Sequence, residues 1–205
     1  IPERFTMYFN GHDHNSYVKL LKEVIIGACA PEEVVLMDVK PDQQKTRIDF
    51  HVIQQYLGIP IVDFYEIRAD GKKLYYERNG ERKYIKRIFN RLIFDDLHKQ
   101  TEAPSFDIQQ EYDVEWITHP NWFYRISKFT LPFLPFDFVP HTQFVSELKS
   151  MPHDLQNYVL KPLFSFSGMG VIIDVTPADI EQIPDKENWI LQRKVLHERT
   201  DGGAR

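Results

Sequence analysis

The stretch Tyr158-Val159-Leu160-Lys161-Pro162-Leu163-Phe164-Ser165-Phe166-Ser167-Gly168-Met169-Gly170-Val171 carries the strongest chemical pattern in the chain. It reads as a strand over Asn157 to Lys161, a loop from Pro162 to Gly170, and a returning strand from Val171 to Val175. Small residues let a backbone approach a ligand closely, and successive N–H groups can form a nest for anionic oxygens. A lysine at the strand end adds a positive charge beside those oxygens. The pattern is neither a Walker motif, where Gly-Lys-Ser/Thr opens a helix, nor a dinucleotide fingerprint. The glycines by themselves are also explained by an ordinary hairpin loop, and Lys161 alone by a strand-end lysine reaching solvent.

Working outward, Pro177 to Ile183 predicts a short helix with proline at its start, and Trp189 to Leu196 a final strand. Upstream, Val114 to Ile117 reads as a strand, and His119-Pro120-Asn121 precedes a helix holding Trp122, Phe123, Ile126 and Phe129 and bearing Lys128. Pro132, Pro135 and Pro140 break the segment after that helix, and Thr142 to Leu148 reads as a strand end or short helix. The stripe Phe129, Phe133, Phe136 and Phe138 is expected as interdomain core rather than a substrate cage.

The first hundred residues have a different grammar. His14 to Ile26 reads as a helix with Tyr17, Leu20, Leu21, Val24 and Ile25 on one face, capped by Asn15 or Ser16. Glu33 to Val39 has the form of a strand buried on both faces. A second helix over about 43–57 stops at Gly58, and Ile59 to Ile67 is another strand. Helix, strand, helix, strand is the order of an α/β unit with a parallel pair. Lys72 to Arg78 and Arg82 to Ile85 flank Asn79-Gly80, a hairpin signal. A helix is expected over Tyr84 to Leu97, with Ile85, Ile88, Phe89 and Leu92 as its apolar stripe and Lys83, Arg87 and Arg91 on a separate basic face. That face is either a solvated surface or, with Asn90, a capture site for an anionic substrate. Gln100 to Glu111 reads as a loop, and a domain boundary falls near 100–120.

Composition sets limits. At 205 residues the chain suits one large or two small domains. Fifteen Phe, ten Tyr and three Trp supply core material and argue against disorder as the dominant state. The single cysteine, Cys29, excludes a disulfide framework, fits a reducing cytosol and reads as a small packed side chain. A net charge of −5 argues against general nucleic-acid binding, which needs a basic face. No apolar run approaches the roughly 18 residues of a membrane helix. The start, Ile1-Pro2-Glu3-Arg4, and the end, Thr200-Asp201-Gly202-Gly203-Ala204-Arg205, read as those of a piece of a longer protein.

Lys128, Val139-Pro140-His141-Thr142, Val159-Leu160-Lys161-Pro162, Ser165 to Gly170 and Leu191-Gln192-Arg193-Lys194-Val195 come in the order of the ATP-grasp superfamily, which the chain resembles over about 120–198. Within that superfamily it is most similar to the glutathionylspermidine-synthase-like and peptide-ligase branches. The first hundred residues match only in type, as the Rossmann-like α/β domain that precedes many such enzymes. The resemblance therefore implies an α/β pre-ATP-grasp, substrate-side domain over 1–110. It implies the first part of an α+β ATP-grasp nucleotide-binding domain over 111–205.

The resemblance also implies roles. Lys128 and Lys161 would contact the ATP phosphates, under a flap of Ser165, Ser167, Gly168, Met169 and Gly170. Gln192 would lie near the adenine amino group. Arg193 belongs to the same hinge, where backbone groups of Lys194 and Val195 would pair with the adenine edge, and Glu198 would reach the ribose hydroxyls. Mg²⁺ is the implied second cofactor, with its acidic and Asn ligands on strands after residue 205. The activity implied is a cytoplasmic ATP-dependent ligase joining a small carboxylate to an amine or thiol through an acyl phosphate. A non-catalytic nucleotide-binding or scaffold module, and a kinase acting on a hydroxyl, remain open. Two other constellations carry less. His12-Asp13-His14 lacks the further ligands a metal needs. Ser165 and Ser167 lack the Gly-x-Ser-x-Gly elbow of a hydrolase.

Overall fold

Five successive residues, Val34 to Asp38, are all buried, the signature of a strand covered on both faces. They form β1 at the heart of the first of two units, Ile1–Pro120 and Asn121–Arg205. The computed structural model describes residues 8–94, 97, 100–165 and 167–195. The first unit contains α1 (His14–Ile25), β1 (Val34–Asp38), α2 (Arg47–Leu57), β2 (Ile61–Asp63), β3 (Arg68–Asp70), β4 (Lys73–Arg78), β5 (Glu81–Ile85), β6 (Arg87–Asn90) and β7 (Glu115–Ile117).

β1 pairs in parallel with β2 and β6, and β6 with β7, in the order β2-β1-β6-β7. Val34 and Leu36 face one way, into a cluster with Ile25, Phe50, Leu57 and Ile59. Val35 and Met37 face the other, against Val62, Leu74, Tyr76 and Ile88. The sheet thus lies between α1 and α2 on one side and the antiparallel β3-β4-β5 sheet on the other. Full burial of such a side chain contributes about 1.5–3 kcal/mol, so the two-sided strand dominates this unit's core.

The local turns arise from residue chemistry. Asn79 and Gly80 both take positive φ, 53° and 76°, the geometry of the tight hairpin joining β4 to β5. Gly58 ends α2 at φ 74°. The cap of α1 is Asp13, not Asn15 or Ser16. Its carboxylate accepts from the Ser16 N–H at 2.8 Å, while the Asp13 N–H donates to the Ser16 hydroxyl at 2.9 Å. Of the expected apolar face of α1, Ile25 is buried while Tyr17, Leu20 and Val24 are exposed. The strand expected over 59–67 is only three residues long. The Asp63 carboxylate accepts from the Tyr65 N–H and turns the chain into one 3-10 turn, Phe64–Glu66.

The helix expected over Tyr84 to Leu97 is not formed at its start: Tyr84 and Ile85 finish β5, and Arg87–Asn90 is β6. The apolar residues match helical spacing, yet they are split between two strands of two sheets, Ile85 closing β5 and Ile88 and Phe89 lying on opposite faces of β6. Ile85 and Ile88 join one cluster and Phe89 the other. β-Branched residues favour that outcome.

The second unit contains α3 (Trp122–Arg125), a 3-10 segment Lys128–Phe133, β8 (Thr142–Phe144), β9 (Tyr158–Pro162), α4 (Pro177–Glu181) and β10 (Trp189–Arg193). Its sheet is antiparallel in the order β8-β10-β9. The helix expected to hold Trp122 through Phe129 is a single turn. Ser127 then caps the 3-10 segment by accepting from the Phe129 N–H, and Pro132 keeps it from becoming α-helical. The returning strand expected at 171–175 is reduced to one bridge, Leu160 to Ile172. The phenylalanine stripe is exposed rather than buried. Phe129 and Phe133 lie against Phe144, and Phe136 stacks on Phe138, which is 84% exposed.

Two outcomes check these readings. Gly58→Ala should cost about 1–2 kcal/mol in urea unfolding, because a Cβ there meets open space and only the left-handed φ is penalised. Asp13 is held below its ordinary pKa of 3.8, chiefly by the hydrogen bond from the Ser16 N–H. A carboxyl with a lowered folded pKa stabilises above its unfolded pKa and loses that effect as pH falls. Protection of the first-turn amides of α1 relative to their intrinsic exchange should therefore fall below about pH 4, and Asp13→Asn should remove that dependence.

Candidate functional site

Strand alternation sorts the side chains of the second sheet. Tyr158, Leu160 and Leu191 point into a core with Val145, Leu155, Val175, Ile180 and Ile183. Val159, Lys161, Ile190, Gln192, Thr142 and Phe144 share the opposite face. There Phe144, Ile190 and Leu163 make a small apolar cluster with Leu131 and Phe164.

Beside that cluster runs a chain of hydrogen bonds. The Lys161 Nζ donates to Gln192 Oε1 at 2.5 Å. Gln192 Nε2 donates to Thr142 Oγ1 at 3.0 Å, and the Thr142 hydroxyl donates to the Pro140 carbonyl at 2.7 Å. Each direction is forced. An ammonium and an amide NH₂ can only donate here, and the Thr142 proton is committed to Pro140. Gln192 and Thr142 are buried, at 8% and 7% exposure, so an unmade bond would be costly. Lys161 is half-buried, and burial lowers its pKa below 10.5. Among the described residues it has no ion-pair partner.

The loop after β9 is fastened at its base. Lys128, first in its 3-10 segment, donates from Nζ to the Ser165 carbonyl at 2.7 Å and to its hydroxyl at 2.9 Å. Ser167, Gly168 and Gly170 take φ of 54°, 78° and 72°, and the Val171 N–H closes a turn on the Gly168 carbonyl at 3.2 Å. Gly170 packs so tightly that a Cβ would lie 3.0 Å from Pro162 Cγ. Met169 is half-exposed at the tip.

The hinge residues have other attachments. Arg193 lies on the core-side register of β10, its guanidinium 5.6 Å from the Tyr158 ring centre and 3.5 Å from Asp154. The Lys194 N–H donates to the Asn157 carbonyl at 2.7 Å, and its ammonium is 3.5 Å from Asp174. Val195 is exposed, and Glu198 lies outside the described residues.

In the first unit, the expected basic helix face is not assembled. Lys83 is on β5 and pairs with Glu81 at 2.8 Å. Arg87, first in β6, is buried against Gly27 and bonded to Glu115 at 2.8 Å, with its Nε lacking a partner among the described residues. Arg91 pairs with Asp49 at 2.9 Å over the Phe50 ring. Asn90 Oδ1 accepts from the Leu92 N–H at 3.1 Å, and its carbonyl from the Thr118 hydroxyl at 2.8 Å. These arginines are neutralised by carboxylates and hold structure. In the His12-Asp13-His14 stretch, Asp13 caps α1, and Nδ1 of His14 bonds the Tyr8 hydroxyl at 2.8 Å.

Sequence reading missed the role of Thr142. It lies in the quoted Val139-Pro140-His141-Thr142 stretch, but its bond to Gln192 spans 50 positions and left no local signal. Comparison of the sequence with protein-family models and with curated proteins finds no match. No helix among the described residues is long and apolar enough to cross a membrane.

Lys128→Met should loosen the base of the loop. Loss of two charge-assisted bonds predicts roughly tenfold faster amide exchange at Ser165 and Ser167, with exchange in β10 unchanged.

Proposed function

We propose that this chain is the nucleotide-binding part of an ATP-dependent ligase, in which Lys161 and Lys128 serve the phosphates of ATP. The observation that carries the reading is the state of Lys161. Its ammonium is half-removed from water, is held by a neutral amide, and faces no carboxylate among the described residues. A cation in that state gains from a multiply charged anion more than an exposed lysine does. The adjoining loop, with small residues and positive φ at Ser167, Gly168 and Gly170, suits close approach of phosphate oxygens.

The chemistry stems from the need to activate a carboxylate. A carboxylate oxygen attacks the γ-phosphorus of ATP, the bond to the bridging oxygen breaks, and ADP leaves with the electron pair. The resulting acyl phosphate is attacked at carbon by an amine or thiol, phosphate departs, and the nucleophile's proton is lost. Lys161 would neutralise charge on the transferring group, and Lys128 would hold the loop base until phosphate competes for it. Among the described residues, no three His, Cys, Asp or Glu side chains converge to hold a metal.

Calorimetric titration of Mg-ATP into the full-length protein should give micromolar binding. Lys161→Met should weaken it at least tenfold, about 1.4 kcal/mol, with the melting temperature measured alongside because the buried Gln192 amide loses its donor. Affinity should also fall at alkaline pH, because the lowered pKa makes Lys161 lose its proton before an ordinary lysine would. Unchanged affinity in Lys161→Met would overturn the assignment.

A further inference from the structure

The second unit carries aromatic rings that the lysine site does not use. Trp122, Tyr124, Phe129, Phe133, Phe136 and Phe138 are between 41% and 84% exposed. Phe129 lies against Phe133, and Phe136 stacks on Phe138, so these rings stand in pairs. At about 200 Å² for each aromatic side chain, the six leave roughly 650 Å² uncovered. A lone soluble protein's largest apolar patch is about 300–600 Å². Ile126 and Leu134, also exposed, bring the surface to about the 800 Å² that each partner contributes to a stable protein interface.

The order of residues along this segment points to its occupant. Tyr124, Ile126 and Phe129 precede Leu131 by seven, five and two positions, and Phe138, Phe136 and Phe133 follow it by the same steps. Arg125 and Asp137 stand six positions before and after. Both are exposed, and neither has an ion-pair partner among the described residues. The 3-10 segment Lys128–Phe133 occupies the centre of this order. A two-fold axis near Leu131 brings the order against itself reversed, so that apolar residues meet apolar ones and Arg125 of each copy meets Asp137 of the other. We propose that this surface docks a second copy of the chain in a two-fold dimer. A lipid surface is the poorer fit, because Arg125 and Asp137 cancel and Lys128 is bonded to Ser165, which leaves little net charge to draw anionic headgroups. The dimer is independent of the nucleotide reading and uses none of its residues except Lys128's neighbours in sequence.

The experiment is sedimentation equilibrium of the full-length protein and four variants, with melting temperatures measured alongside. The wild type should show a monomer–dimer equilibrium in roughly the micromolar range. Phe136→Ser combined with Phe138→Ser should weaken it at least about tenfold, at positions whose exposure spares the fold. Arg125→Glu sets two carboxylates against each other at both symmetric contacts, and Asp137→Arg sets two guanidiniums, so each should also weaken the dimer about tenfold. The two reversals combined should restore it to within about threefold of wild type, and this rescue decides the question even if the ring variant fails to fold. A protein that stays monomeric at about 100 μM would overturn the inference. Flotation of that monomer with phosphatidylcholine vesicles would then assign the patch to lipid. A dimer indifferent to the ring variant has its interface elsewhere, and charge reversals that have no effect, or that do not recover when combined, deny the two-fold arrangement; each of these results overturns the proposal and leaves the nucleotide reading standing.

Discussion

An ammonium group taken partly out of water must be compensated, and the second unit compensates Lys161 with a directed series of neutral dipoles. The series runs from β9 through β10 to β8 and ends on the backbone of Pro140. It needs all three strands in their observed register, because Gln192 lies beside Thr142 on one side and Val159 on the other. A slip by one residue would turn Gln192 into the cluster formed by Leu155, Leu160 and Val175. The polar chain and the two-sided sheet therefore specify each other. Apolar packing behind the sheet supplies stability, and the polar series in front fixes register and orientation.

Parts of this structure were legible in the sequence for identifiable reasons. β1 was readable because two covering layers demand an unbroken apolar run, and the hairpin because Asn79-Gly80 tolerates positive φ at both positions. The stretch from Ile85 to Leu92 misled because it runs from the end of β5 across the whole of β6. In a covered strand, neighbouring residues are apolar on opposite faces, and at this length the pattern fits helical spacing as well. The consequence reached the candidate site: placing Arg87 and Arg91 on a helix made a basic face, whereas the strand sends them to Glu115 and Asp49. Asp63 and Ser127 ended or redirected elements through side-chain-to-backbone bonds that periodicity does not register.

The candidate site was legible where chemistry is local. A lysine closing a strand before a Ser/Gly loop is visible in 14 consecutive residues, and Lys128 becomes meaningful by its bond to Ser165. What could not be read is the state of each charge. Sequence gives Arg87, Arg91, Lys128 and Lys161 the same nominal +1, while folding distinguishes them. The two arginines meet carboxylates, and Lys128 is bonded to Ser165. Lys161 is held by a side-chain amide.

That difference bears on how readily each cation can take an anion. A lysine already paired to a carboxylate must give up that pair to bind an anion, so the two interactions nearly cancel. A lysine held by an amide gives up only a hydrogen bond, and its charge is undiminished when the anion arrives. The arrangement also has a cost in the unliganded protein, since burial without a counter-charge disfavours the ammonium. Such a cost is tolerated where occupancy by an anion relieves it, and this is the argument for proposing a phosphate subsite at Lys161 rather than at the carboxylate-paired arginines Arg87 and Arg91.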